Sequence, residues 1–228
     1  MKNLIVFDMD GVLVEVTESY RATIQATVKH FTGDEPTRLE IQDWKNKGGF
    51  NDDWILSQAM IADRGFEAPF DHIVDYFQKV FHGDETTPGL ILREQWMARN
   101  GLFETLLENH TLAVFTGRLR WEAELTLNRF TQLPFAPIMG VDNVTNPKPH
   151  PEGLIKIKET VPHHRIWYVG DTVDDARAGA AAGVPFIGIV SPENPRYTTV
   201  VDLLNQHGAV AILNDINTLE QVVNATHS

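Results

Sequence analysis

Leu4-Ile5-Val6-Phe7 is a run of bulky residues with no polar alternation. A strand with that pattern has no face to give to water, so it must be covered on both sides, as in a parallel sheet between helix layers. Four similar runs follow at 111–115, 166–169, 185–190 and 209–213, separated by helix-length segments. This rhythm predicts an α/β fold with a doubly wound, Rossmann-like parallel sheet.

Residues 16–89 break the rhythm and read as helices only. Val16, Tyr20, Ile24 and Val28, with Phe31, trace a stripe at helical spacing that Gly33 stops. Thr37 and Glu40 make a T-x-x-E capping box. Asn51 is the expected cap of a helix with Asp52 and Asp53 in its first turn. Phe70, Val74, Phe77 and Phe81 form another stripe, closed by Gly83. The expectation is a catalytic core of residues 1–15 and 90–228, with an all-helical domain of residues 16–89 inserted after the first strand. Hinges are expected near 12–16 and 87–89.

Composition narrows the chemistry. The 228 residues include no cysteine, which removes thiol catalysis, Cys-ligated zinc and iron–sulfur centres. The formal net charge of −12 disfavours nucleic acid and anionic membrane surfaces as partners. No apolar run approaches the ~20 residues of a membrane helix. No signal-peptide pattern is visible, and a cytoplasmic location is the expectation.

Four clusters could carry chemistry. Asp8-Met9-Asp10-Gly11 stands at the end of the first buried strand, where open α/β sheets bind ligands. Alternation along an extended chain would point Asp8 and Asp10 the same way. Thr116-Gly117-Arg118 follows the second run, and a hydroxyl with exposed N–H groups can hold phosphate oxygens. Pro147-Lys148-Pro149 restricts the backbone around one lysine, fixing a cation beside an anion. Asp171 ends the third run, and Asp175 lies one helical turn later. Oxygen-rich ligation of that kind is magnesium chemistry. Each cluster alone has a plain alternative: solvated carboxylates, an ordinary turn, a surface lysine, or acidic residues favouring a helix N-terminus. Their convergence on one edge of a parallel sheet favours a site.

The set Asp8-x-Asp10-Gly11, Thr116-Gly117-Arg118, Lys148-Pro149-x-Pro151 and Gly170-Asp171-x-x-x-Asp175 resembles the haloacid dehalogenase superfamily, in its phosphoglycolate phosphatase-like branch with a helical cap. Nearly the whole chain takes part. The resemblance implies an aspartyl-phosphate phosphatase acting on a small phosphorylated metabolite, as a monomer or homodimer. It makes Asp8 the nucleophile and Asp10 the proton carrier. Thr116, the Gly117 N–H and Lys148 would hold the phosphoryl group. Asp8, the Asp10 carbonyl and Asp171 would bind Mg2+, and Asp175 would hold a metal-bound water or orient Lys148.

The helical insert then reads as a cap. Residues 45–51 match the family's substrate loop, with Lys47, Gly48 and Asn51 as substrate contacts and Arg118 as a further one. Two departures bear on activity. Tyr20 stands where phosphomutases of the superfamily often carry histidine, which lowers the mutase alternative. Asp10 argues against dehalogenation. A non-catalytic protein retaining the fold is the alternative from another class.

Overall fold

In the computed structural model, which describes residues 1–225, β1 (Asn3–Phe7) is buried at every position. Full burial of each large side chain in it is worth about 1.5–3 kcal/mol. The short β2 (Val14–Glu15) follows, and then come four helices: α1 (Tyr20–Thr32), α2 (Arg38–Lys47), α3 (Asp53–Asp63) and α4 (Phe70–His82). After β3 (Gln95–Trp96) the alternation resumes with α5 (Leu102–Asn109), β4 (His110–Phe115), α6 (Arg120–Phe130) and β5 (Phe135–Met139). It continues through α7 (Glu152–Thr160), β6 (Ile166–Gly170), α8 (Val173–Ala182) and β7 (Phe186–Ile189). The described chain ends with α9 (Tyr197–Gln206), β8 (Ala209–Leu213) and α10 (Leu219–Ala225).

Six strands form one sheet in the order β5-β4-β1-β6-β7-β8, all parallel. Strand order reverses beside β1, and such a switch point opens a crevice at the C-terminal strand ends. Alternation divides the core between the two faces. Leu4, Val6, Ala113, Phe115 and Tyr168 pack with Leu154 and Ile157 of α7 and Ala176 of α8. On the other face Phe7 meets Phe103 edge-on at 5.6 Å, and Phe103 meets Phe135 at 5.1 Å.

Sequence reading missed β5. Its Pro137 argues against a central strand, but an edge strand tolerates a proline, and β5 is the edge.

The described chain divides into two compact units, residues 1–14 with those from 96 onward, and residues 15–95. The second holds α1–α4 and runs six residues past the expected boundary. Its extra length is a 3-10 turn (Leu90–Arg93) that packs on α1 and α4 and buries Ile91. Inside this unit α1 packs on α3 and α4, with Tyr20 and Phe81 rings 4.0 Å apart. Thr37 and Glu40 form the expected capping box. Two local expectations change. Asp52, not Asn51, caps α3, its carboxylate accepting from the N–H of Trp54 and Ile55. Lys45, Asn46 and Lys47 belong to α2, so only the segment from Gly48 is loop. The strands β2 and β3, in which the chain passes between units, pair with each other.

Candidate active site

The C-terminal ends of β1, β4 and β6, three adjacent strands, carry Asp8, Thr116 and Asp171. β1 stops at Phe7 and the chain bends at Met9, whose carbonyl accepts from the N–H of Leu13 and Val14. The proximity of Asp8 and Asp10 therefore comes from a turn and not from strand alternation. Gly11 permits that turn at φ 74°, and a Cβ there would stand 2.2 Å from Asp171 Oδ2.

Lys148 reaches this centre from the loop before α7. Its ammonium donates to Asp8 Oδ1 at 2.8 Å, to Asp175 Oδ1 at 2.7 Å and to the Tyr168 hydroxyl at 3.2 Å. All four groups are buried. Burial pushes the lysine pKa down, but the carboxylates of Asp175 and Asp8 outweigh it and hold Lys148 above its ordinary value. Burial pushes Asp8 well up; Lys148 opposes this, while Asp175, Asp10 and Asp171 reinforce it. Asp175 is buried too, yet Lys148 and the hydrogen bonds from Lys148, Thr172 and Tyr168 hold it below the usual range. The two carboxylates share one cation and end on opposite sides of their ordinary value, because Asp175 has additional donors.

Asp175 does two jobs at once. Its Oδ1 accepts from Lys148 and, at 2.5 Å, from Tyr168, while Oδ2 accepts from the Thr172 N–H and hydroxyl. The second pair closes a capping box on α8. Four donors fill the roughly four lone-pair sites of a carboxylate. Gly170 leaves room for it, since a Cβ there would stand 2.5 Å from Asp175 Cβ.

Asp8, Asp171 and Asp175 bring carboxylate oxygens within 4.8 Å of one another. An all-oxygen acidic set fits a hard divalent cation. With Asp175 satisfied by the protein, Asp8 and Asp171 are the carboxylates suited to direct ligation, and Asp175 is placed to hold Lys148.

The surrounding polar groups suit an anion. The N–H groups of Met9, Asp10 and Gly117 meet no acceptor among the described residues. The Thr116 hydroxyl is buried and accepts from the Arg118 N–H at 3.2 Å. Donors left unpaired beside a strand end are a ready anion cradle. Arg118 is 3% exposed and turns its guanidinium to Asp10 and Thr126. The other expected substrate contacts, Lys47, Gly48 and Asn51, lie in the helical unit. There Lys47 places its ammonium 3.4 Å over the Trp44 ring, and Gly48 ends α2 at φ 77°.

Glu152, in the first turn of α7, shapes the approach to the lysine loop. Its carboxylate accepts from the Thr145 and Asn146 N–H groups at 2.9 Å and from Lys156 at 2.7 Å. Lys156 and those two N–H groups lower its pKa to about 2 from 4.5. A depressed folded pKa means its stabilisation is present above pH 4.5 and is lost as pH falls toward 2. Glu152→Gln should therefore lower the urea midpoint at neutral pH. The gap to wild type should close in acid. A gap independent of pH would refute the assignment.

Sequence reading did not single out Tyr168 or Thr126. Tyr168 carried a signal: a hydroxyl inside a doubly buried strand needs a partner. Thr126, mid-helix in α6, carried none.

This doubly wound sheet, with its reactive groups gathered at the ends of the central strands, places the chain among α/β proteins that do their chemistry at the switch point. Residues 5–189 match the family model of the haloacid dehalogenase-like hydrolases, and the chain belongs to that family. It is 32% identical over 197 residues to an imidazoleglycerol-phosphate dehydratase of Phytophthora nicotianae, covering 83% of this chain and 43% of that protein. It is 26% identical over 196 residues to phosphoglycolate phosphatase 1 of Pseudomonas aeruginosa, covering 81% of this chain and 68% of the relative. The chain thus spans less than half of the dehydratase. A phosphonoacetaldehyde hydrolase-like protein from Oleispira antarctica shares the fold at a TM-score of 0.74 and 14% identity, over 98% of this chain and 92% of that one. Among the described residues no helix is long and apolar enough to cross a membrane.

Proposed function

We propose that the chain is a Mg2+-dependent phosphatase that hydrolyses a small phosphorylated metabolite through an aspartyl-phosphate on Asp8. The observation that carries this reading is the buried Asp8, held by Lys148 and set beside unpaired backbone N–H groups. A carboxylate is a weak nucleophile that repels a phosphate dianion, so it needs positioning and charge compensation. Two unit charges 4 Å apart interact by about 4 kcal/mol at an effective dielectric near 20.

In the first step an Asp8 oxygen bonds to phosphorus while the bond to the leaving oxygen breaks. Asp10 gives that oxygen a proton. In the second step a water attacks phosphorus, Asp10 takes back a proton, and the Asp8 carboxylate and inorganic phosphate are released. Thr116 and the Gly117 N–H hold the phosphoryl oxygens, and Lys148 offsets the charge on Asp8. Asp8, Asp171 and the Asp10 carbonyl are the groups to hold magnesium, which when bound supplies charge neutralisation and a template for the phosphoryl group. The helical unit serves as a cap that excludes water and selects the leaving group.

Phosphate release from a panel of small esters, with magnesium and with chelator, tests the reading. The panel includes 2-phosphoglycolate and imidazoleglycerol phosphate, from the names of two relatives. Magnesium-dependent release is the expected result. No release from any ester by folded protein would overturn it, and a phosphoenzyme that water hydrolyses slowly would point to a mutase. In the cap, Lys47→Glu should raise KM for an anionic substrate several-fold with kcat held. An unchanged KM would remove Lys47 from the site.

A further inference from the structure

We propose that Arg118 is a positioning residue that fixes the Asp10 carboxylate for proton transfer, with Thr126 of α6 holding the guanidinium in place. The inference rests on the phosphatase reading and extends it to a residue that the sequence pattern left as a substrate contact.

The geometry is specific. Arg118 Nε and Nη2 donate to the same oxygen, Asp10 Oδ1, at 2.9 and 2.5 Å. Nη1 donates to the Thr126 hydroxyl at 2.8 Å. The guanidinium is almost wholly buried, whereas the Asp10 side chain keeps 29% of its surface. A cation so enclosed is stable only when paired, so its partners also fix its position. With two donors converging on Oδ1, the carboxylate cannot swing freely. No donor among the described residues meets Oδ2, which is the oxygen left to exchange a proton with substrate. The Arg118 backbone N–H meanwhile holds the Thr116 hydroxyl. One residue thus sets the place of the phosphate-holding hydroxyl with its backbone and of the proton carrier with its side chain. A guanidinium does this better than an ammonium, because its fork presents several donors in fixed directions.

The leaving group supplies the test. An alkyl phosphate needs a proton on its departing oxygen, and 2,4-dinitrophenyl phosphate does not. Arg118→Lys should lower kcat for the best alkyl ester of the panel roughly 100-fold, the lower range of general acid effects. The pre-steady-state burst of dinitrophenolate, which reports only phosphoryl transfer to Asp8, should fall less than about threefold. Thr126→Val is the gentler variant, nearly isosteric, and should show the same split at several-fold size. Asp10→Asn should show it too, and adding Arg118→Lys to Asp10→Asn should cost nothing further.

Equal slowing of alkyl-ester turnover and of the dinitrophenolate burst, or slowing of neither, would overturn the proposal. So would a KM rise common to both esters, which would return Arg118 to substrate binding. If Asp10→Asn itself showed no split, the role of Asp10 would fail first. A wild type inactive on every ester would overturn the phosphatase reading instead.

Discussion

Asp8→Asn should abolish phosphate release, by at least ~10^4-fold, because a neutral carboxamide cannot replace the carboxylate that attacks phosphorus. The same substitution should leave the metal-free protein as stable as wild type or more so. Burial and the neighbouring carboxylates raise the Asp8 pKa, against the pull of Lys148. A raised carboxyl pKa means that folding favours the protonated form. Its contribution is complete below pH 3.8 and is lost as pH rises toward the raised value. The melting temperature of Asp8→Asn should therefore pull ahead of wild type in chelator as pH climbs from about 4 to about 7. Magnesium should narrow that gap by stabilising wild type more. Loss of activity together with a large fall in melting temperature would mean that Asp8 is structural and not a nucleophile held at a cost.

Lys148→Met should be the most destabilising change in the site. It leaves Asp8 and Asp175 buried without their shared cation, and breaking a buried pair in this way costs roughly 3–5 kcal/mol. Denaturation in urea reads it directly. Adding Asp8→Asn should restore part of the stability, since one of the two stranded carboxylates is removed and Asp8 has no other side-chain donor to lose among the described residues, while activity stays absent. A Lys148→Met protein with a wild-type midpoint would refute the buried triad. Lys148→Arg is not a conservative rescue here, because a planar fork cannot reproduce three bonds converging on one nitrogen.

Much of this was legible in the sequence for physical reasons. Strands buried on both faces announce themselves by continuous apolar runs, so β1, β4, β6 and β7 were readable, and β8 carries the same apolar run although it is a half-buried edge strand. The clusters at their ends were readable because a parallel sheet puts all C-terminal ends on one edge. The capping box at Thr37 and Glu40 was readable because it is a local hydrogen-bond pattern. Other features depend on tertiary context. The strand β5 contains a proline that only its edge position tolerates. Arg118 followed a recognisable Thr-Gly pair, but its pairing with Asp10 spans 108 residues and has no local signature. Asp174 and Asp175 both suit a helix N-terminus by composition. Only the fold shows that one carboxylate caps the helix and grips the lysine together.

The pairing of β2 with β3 has a consequence for how the chain finds its fold. Leu4 must meet Thr111, and the loop between them contains the whole helical unit. A long flexible loop makes such a meeting entropically costly and slow. The helical unit, however, begins and ends in two strands that neighbour each other, about 5 Å apart. Once it has condensed, it works as a clasp that draws the two arms of the sheet to within a short span. The effective loop shrinks several-fold, which lowers the closure cost by about 1 kcal/mol. An insertion that looks like an interruption of the sheet in the sequence thus shortens the search by which β1 and β4 come together.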